Sequence, residues 1–520
     1  MEPIDLAAAW QRLSDVGQRV GLDDVEMERA LARLVSAGGV LAQATGDTSE
    51  ETRNRLMAGV ARNLEDDPMV LGWALKLGAR LGDVPWQRFF ENFVVRLVTE
   101  RPAIVARMRA EMGFPPPVTI IINPTMACNL RCRGCYAYEF SREESMAPAL
   151  FERVVNEARE MGVRFITITG GEPFIYKPLM TMAERFPDMT FLTYSNGTLL
   201  DDKLADRVAA AGNIFPALSV EGYEAETDDR RGAGVHRGVL AAMARLKERG
   251  VLFGISVTPT RLNTDVVTAD AFLDFYLDRG ANFIWLFTYI PVGKSPEPQL
   301  MATPEQRDRL RETTLRWRRT RPVFIGDFWN DGATCGGCLS ASRYAFICPD
   351  GKVQPCTFVH FYTHNIKDHS LKEIFQSPFF RTIRDAQPYH RNLLRPCKII
   401  DHPHVLRQIV DTCGAQPAYE GADDLVRSPE MVAFIDDYAR RYGELAERAW
   451  QGPQYQDGRR VLVPFSGLVD LYARFPDRME SAERNTPRTE ASRPPSETQP
   501  VDNVDTQSST WAAKASAASS

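Results

Sequence analysis

Three cysteines, Cys128, Cys132 and Cys135, share one short run, Asn123-Pro-Thr-Met-Ala-Cys128-Asn-Leu-Arg-Cys132-Arg-Gly-Cys135-Tyr136. Thiolates at C-x3-C-x2-C spacing in a single loop can surround one metal cluster. A four-iron cluster usually takes four thiolates, so three local ones leave an iron open to substrate or cofactor unless a distant residue closes it. The same loop also reads as a zinc site, or as an electron-transfer cluster completed by a remote cysteine. Further on, Thr169-Gly170-Gly171-Glu172-Pro173 adds a second chemical feature. Two glycines let the backbone pass close to a ligand, and a carboxylate can accept hydrogen bonds from an ammonium. Taken alone, that segment is also an ordinary strand-to-helix turn.

The remaining cysteines lie late in the chain. Cys338 and Cys356 frame a stretch with Cys348-Pro-Asp-Gly351 at its middle, where Pro-Asp-Gly suits a hairpin turn that brings the two thiols to one side. Arg395-Pro396-Cys397 supplies a third candidate ligand. Cys335, spaced C-x2-C from Cys338, is the first choice for a fourth, ahead of Cys413, His404 or an open site. A zinc site using Cys335 and Cys338 is the main alternative. Cys348 falls in an expected strand and reads equally as a buried apolar residue. The linking stretch Gly326-Asp327-Phe-Trp329-Asn330-Asp331-Gly332 reads either as a substrate contact or as a capped loop between modules.

The cysteine loop followed by Gly-Gly-Glu-Pro, in that order, resembles the radical S-adenosylmethionine (SAM) superfamily. The resemblance spans about residues 118 to 400. It implies that SAM chelates the open iron of a 4Fe-4S cluster and is cleaved reductively to a 5′-deoxyadenosyl radical that abstracts hydrogen from substrate. It assigns Gly170, Gly171, Glu172 and Pro173 to the methionyl amine. Ser195 and Asn196 in Tyr194-Ser-Asn-Gly-Thr198, with Ser219 and Glu221 in Ser219-Val-Glu-Gly222, look like ribose-facing positions. Arg231 is similar to an arginine that grips the SAM carboxylate in some relatives, while its charged neighbours read as a solvated run. Ser256 is expected to line the pocket. Many members carry an aromatic residue before the third cysteine, where this chain has Gly134, with Tyr136 after it. The Cys338, Gly351 and Cys356 spacing resembles the opening of a SPASM or Twitch extension, which implies an auxiliary cluster. The dense C-x2-C-x5-C-x3-C of a full SPASM domain is absent, so at most one auxiliary cluster is expected. No catalytic side chain is singled out.

These residues need a frame. Residues 1–115 read as a helical domain. Its clearest stripe is Trp86, Phe89, Phe90, Phe93, Val94, Leu97 and Val98 between Pro85 and Thr99, a pattern far more often core than ligand box. Pro115, Pro116 and Pro117 end it. Then short apolar runs, 118–122, 165–169, 190–194, 215–220, 252–257 and 283–289, alternate with helical stretches such as 148–161 and 239–247. That alternation predicts an α/β fold with a parallel sheet, an open (β/α)6 barrel over 118–330, whose motifs follow strand ends. A Cys-rich auxiliary module is expected at 331–410, a helical region at 411–479 and a disordered tail at 480–520.

At 520 residues and 44% hydrophobic content the chain can bury a sizeable core. With 62 basic against 68 acidic residues and a net charge of -6, nucleic acid is not an expected partner. The first residues lack an export pattern and no apolar run reaches about 18 residues, so no transmembrane segment and a cytoplasmic location are expected. Nine cysteines in this scatter suit metal ligation better than disulfides. The expected partners are a reductant such as flavodoxin or ferredoxin and an unidentified substrate. A small molecule or lipid is preferred, because peptide maturases often begin with helices plus a β-hairpin and no strand pair is visible before residue 115. A peptide-modifying enzyme, a non-catalytic iron-sulfur electron carrier and a zinc-structured interaction module are the competing readings.

Overall fold

A computed structural model describes residues 6–44, 68–137, 144–293 and 296–456. The expected tail at 480–520, and residues 457–479 before it, lie outside the described residues. Seven strands pair in chain order, all parallel: β1 (Ile120–Ile122), β2 (Phe165–Ile168), β3 (Thr190–Ser195), β4 (Ile214–Val220), β5 (Gly254–Val257), β6 (Phe283–Leu286) and β7 (Phe324–Asp327). Helices Pro148–Glu160, Pro178–Arg185, Asp202–Ala211, Val235–Glu248, Asp270–Asp278 and Pro304–Thr320 occupy the connections. Their starts carry the expected chemistry. Asp201 accepts the N–H of Leu204 at 2.8 Å, and Thr303 and Gln306 form a reciprocal capping box.

Strand side chains alternate between two environments. Ile120, Ile122, Ile166, Ile168, Phe191, Leu218, Val220, Ile255 and Ile284 bury themselves under the connecting helices. The other face is inward, and at the strand starts Phe165, Leu192, Phe215 and Phe283 meet the N-terminal helices. Helix Pro68–Arg80 sends Trp73 Nε1 to the carbonyl of Asn282 at 2.7 Å. The aromatic stripe is core: Phe93 packs 5.4 Å from Phe165 and 6.0 Å from Phe215, ring to ring. It does not run on one straight helix, because Phe90–Val95 is π-helical between helical turns Asp83–Phe89 and Arg96–Thr99. The inward face is therefore closed where strands begin and left to the loops where they end.

One sequence expectation changes here. A seventh parallel strand occupies Phe324–Asp327, part of which was expected to be a linking loop; a short run holding Gly326 and Asp327 gives no strand signal, yet it pairs along β6 with Asp327 fully buried. The Cys-rich segment extends the same sheet. Its strand β8 (Phe346–Ile347) pairs parallel with β1, β9 (Lys352–Gln354) folds back on β8 through the Pro-Asp-Gly turn, and β10 (Phe361–Tyr362) leads to β11 (His364–Asn365), which pairs with β9. The short strand β12 (Gln416–Pro417) pairs with β10. The physical reason lies in the exposed edge of β1, whose backbone donors find acceptors there: Ile121 N reaches the carbonyl of Ala345 and Asn123 N that of Ile347, each at 2.9 Å.

A buried ion pair fastens the same region to the barrel. Arg307, on helix Pro304–Thr320, holds Asp401 at 2.6 and 3.2 Å with neither side chain exposed, and its guanidinium lies 3.7 Å over the Tyr442 ring of helix Pro429–Trp450. Among the described residues, no helix is long and apolar enough to cross a membrane.

Candidate functional site

The cysteine loop leaves β1 and is held against the turn after β2 by main-chain bonds. Gly171 N donates to the carbonyl of Thr125 at 2.9 Å, and Glu172 N to that of Ala127 at 2.8 Å. A Cβ on Gly170, where φ is +129°, would stand 2.5 Å from the Thr125 carbonyl oxygen, and one on Gly171 would stand 2.2 Å from that of Ala127. The glycines thus let two loops of the protein touch, a use of the missing side chains that their sequence did not suggest.

That contact aims Glu172 into the interior. Its side chain is 1% exposed and accepts hydrogen bonds from Ser195 Oγ at 2.9 Å, Asn196 N at 2.8 Å and Phe174 N at 3.2 Å. Burial raises its carboxyl to about 7, and these neutral donors hold it from rising further. Ser195 and Asn196 have structural duties at this point. Ser195 Oγ also accepts Gly197 N at 3.0 Å. Asn196 Nδ2 donates to Asn129 Oδ1 at 2.9 Å, while Asn129 Nδ2 donates to Thr198 Oγ1 at 2.8 Å. The end of β3 is thereby laced to the cysteine loop through Asn129 and Thr198, neither of which the sequence reading singled out. Asn129 directly follows Cys128, and that adjacency was the available signal.

Ser219 and Ser256 are paired across β4 and β5 and face inward. Glu221, at the end of β4, has one oxygen filled by two guanidiniums: Arg230 Nη1 at 2.6 Å, and Arg231 Nε and Nη2 at 2.8 and 2.5 Å. Of the neighbours of Arg231, Asp229 is exposed as a solvated run would have it, but Arg230 and Asp228 are engaged. Arg230 bonds back to the cysteine loop, donating from Nε to the carbonyl of Arg133 at 3.2 Å, and Asp228 accepts Gly234 N at 2.6 Å and His236 N at 2.9 Å. Helix Glu224–Arg231 ends at Gly232 with its last turn against the loop, so charges that look exposed in sequence are spent on positioning.

Burial pushes the Cys128 and Cys135 thiols up. The Glu172 charge adds to the rise at Cys128, whereas Arg230 and Arg231 pull Cys135 back down. The trio therefore lies between a buried carboxylate and a pair of guanidiniums. Gly134 adopts φ of +63°, and a Cβ there would meet the Tyr289 ring at 2.7 Å. An aromatic ring thus stands beside the third cysteine, delivered by the segment after β6 instead of the preceding residue.

Three of the later cysteines, Cys338, Cys356 and Cys397, gather around Tyr344. Tyr344, buried, donates to Cys356 Sγ at 3.1 Å, and its hydroxyl is raised by burial and by the charges of Cys356, Cys338 and Cys397. Cys397 N donates to Asp401 Oδ2 at 2.9 Å, and burial, with Asp401 and Cys338 adding, pushes its thiol up to about 12. The neighbouring Lys398 is also buried, its Nζ 2.5 Å from Ser340 Oγ. Of the fourth-ligand candidates, Cys335 ends helix Gly332–Cys335 beside Arg318, Cys413 lies beside Thr382, and His404 lies beside Arg407. Cys348 is fully buried and accepts Gln354 Nε2 at 3.3 Å, the packing role its sequence allowed. Among the described residues no three His, Cys, Asp or Glu side chains stand close enough to hold a single metal ion, the spacing that zinc needs. Three thiols with a buried ammonium and a phenol donor suit an anionic iron-sulfur centre, whose sulfurs attract such groups.

Aromatic rings connect the two centres. Tyr136, next to Cys135, lies 5.7 Å from Phe358; Phe358 lies 4.8 Å from Trp329, which lies 4.9 Å from Phe328. Phe328 contacts Tyr344 at 6.1 Å and Phe287 at 5.3 Å, and Phe287 meets Tyr194 at 5.4 Å. Tyr136, Tyr194, Phe287, Phe328 and Phe358 are only half-buried. This uncharged wall was not visible in the sequence beyond Trp329, because its members come from five separate segments.

Residues 122–269 match the model of the radical SAM superfamily, and residues 338–399 match that of an iron-sulfur cluster-binding domain, SPASM. The chain is a radical SAM enzyme carrying a SPASM domain, with SAM and 4Fe-4S clusters as its cofactors. It is 27% identical over 321 residues to an AdoMet-dependent heme synthase of Oleidesulfovibrio alaskensis, covering 54% of this chain and 80% of that relative. It is also 27% identical to the mycofactocin maturase MftC of Mycolicibacterium smegmatis, covering 53% and 75% of the two chains. A crystal structure of Streptococcus suis SuiB bound to S-adenosylmethionine superposes with a TM-score of 0.49 at 17% identity, over 71% of this chain and 88% of that one.

Gly171→Ala should force the Ala127 carbonyl away at a cost of about 1–3 kcal/mol. A lower melting temperature and a cysteine trio that retains less iron on analysis are expected; wild-type values for both would show that the loops can part freely.

Proposed function

We propose that Cys128, Cys132 and Cys135 hold the SAM-binding cluster, that Glu172 receives the methionyl ammonium, and that Arg231 faces the carboxylate. Cys338, Cys356 and Cys397 hold the auxiliary cluster, with Cys335 as the fourth ligand. When bound, the first cluster supplies the electron that cleaves SAM to a 5′-deoxyadenosyl radical, which takes a hydrogen atom from the substrate. The observation that carries this reading is the pair of opposite charges flanking the trio: a buried carboxylate with neutral donors on one side and guanidiniums on the other fit the two ends of a zwitterion. Ser195 and Asn196 position Glu172 and the loop, and Ser219 and Ser256 offer hydroxyls to the ribose. Glu221 acts by orienting Arg230 and Arg231.

The substrate is a small molecule that lays an uncharged, flat face on the aromatic wall between the centres. The wall keeps water from the reacting atoms and supplies no charge to a charged substrate. The relatives named AdoMet-dependent heme synthase support a flat macrocycle of the heme type as the first compound to assay. The mycofactocin maturases favour the alternative of a peptide-derived substrate. Against it stands the N-terminal helical segment, which among the described residues offers helices and no strand before Ile120 to which a peptide edge could add. A low-potential donor of the flavodoxin or ferredoxin type completes the cycle.

Anaerobic reconstitution followed by dithionite and SAM should yield 5′-deoxyadenosine, and Cys132→Ala should abolish it; an intact, reducible cluster that forms none would sink the radical reading. Glu172→Gln keeps the shape but loses the charge, and SAM affinity is expected to fall by about tenfold or more, as for loss of a charged hydrogen bond of about 1.5–3 kcal/mol. Equilibrium dialysis checks this. Phe358→Ala should leave substrate-free 5′-deoxyadenosine formation near wild type while cutting consumption of a heme-type macrocycle, compared by mass spectrometry. Consumption of a peptide fraction instead would favour the alternative.

A further inference from the structure

We infer that Lys398 is the fixed charge partner of the auxiliary iron-sulfur centre, a positioning residue that raises its reduction potential from beneath Cys356 and Cys397. The inference rests on the assignment of Cys338, Cys356 and Cys397 to that centre.

Lysine is almost never fully buried unless paired. Here the side chain is 1% exposed, and the hydrogen bond of its Nζ runs to the hydroxyl of Ser340, a neutral group that is itself fully buried. An ammonium taken out of water costs several kcal/mol unless an opposite charge faces it. The nearby carboxylate, Asp401, is already engaged: Arg307 grips both of its oxygens and Cys397 N takes one of them. Ser340 lies two residues after Cys338, and the next residue, Ala341, donates its N–H to the carbonyl of Pro355, just before Cys356, at 3.1 Å, so the ammonium is set where the segments carrying Cys338, Cys356 and Cys397 meet.

The local chain puts it there. After Cys397 the backbone folds tightly, with Asp401 N and His402 N both bonded to the Cys397 carbonyl at 3.0 Å and Ile399 N on Cys397 Sγ at 3.3 Å. Lys398 is buried at this fold with its Nζ on Ser340 Oγ, while Tyr344 donates to Cys356 Sγ. A reduced cluster carries one more negative charge than an oxidised one. A fixed cation and a proton donor at its sulfurs both favour the reduced form, which is how surrounding groups tune such centres.

The test is a redox titration followed by electron paramagnetic resonance, in a Cys132→Ala background that removes the first cluster's signal. If that background shows no iron-sulfur signal, the auxiliary assignment itself fails. If it does, Lys398→Met should move the midpoint to a more negative potential and Lys398→Arg should keep it near that of the background. An unchanged midpoint in Lys398→Met with the cluster retained overturns the inference and leaves the assignment standing. Should Lys398→Met not fold, Lys398→Arg is compared with Lys398→Gln for iron and midpoint. Retention of the background value by Arg alone supports the inference, and equal behaviour of the two overturns it.

Discussion

Carbonyl oxygens of Thr125, Met126 and Ala127 crowd the space that side chains on residues 170 and 171 would fill. The site depends on this approach of two backbones. It brings Glu172 to the trio, and it fixes the loop through two N–H donors that would otherwise need water. Only a residue without a Cβ permits the distance. From this seam the other contacts spread outward: Glu172 to Ser195 and Asn196, Asn196 to Asn129, and, on the loop's far side, Arg133 to Arg230.

Charge is arranged around the seam by burial. Glu172 sits among neutral donors with its carboxyl raised to about 7, a group that gains most from a cation brought to it. Glu221, equally buried, is by contrast already saturated by two arginines. The same contrast holds at the second centre. Asp401 is neutralised by Arg307, while the buried Lys398 has the neutral Ser340 hydroxyl as its hydrogen-bond partner. Each centre thus pairs a salt bridge that holds the frame with one buried ionic group whose hydrogen-bond partners are neutral.

The sheet gives these centres one common wall. Its inward face is packed by Phe89 and Phe93 where strands start, and half-buried rings of Tyr194, Phe287 and Phe328 line it where strands end. Because β8 adds to the edge of β1 and β9 to β8, Cys356, just past β9, is carried on the same sheet as the strand that leads into the first trio. Their relative placement follows from strand register rather than from a flexible linker.

Much of this was legible from residue order alone. Cysteine spacing, Gly-Gly-Glu-Pro after the next strand, strand-helix alternation and the aromatic stripe are local patterns, and local patterns fix loops, caps and periodic faces. Lateral matters were not legible. Phe324–Asp327 is a strand because β6 offers it an edge, Arg230 is a loop clamp because a helix ends against Arg133, and the two glycines admit the carbonyls of a neighbouring loop. The aromatic wall and the buried Lys398 are assembled from segments far apart in the chain, and no spacing rule connects Tyr136 with Phe358. The sequence determined which chemistry the cysteine loops can do; the tertiary structure decided which charges and rings surround them, because those neighbours meet only when the sheet is built.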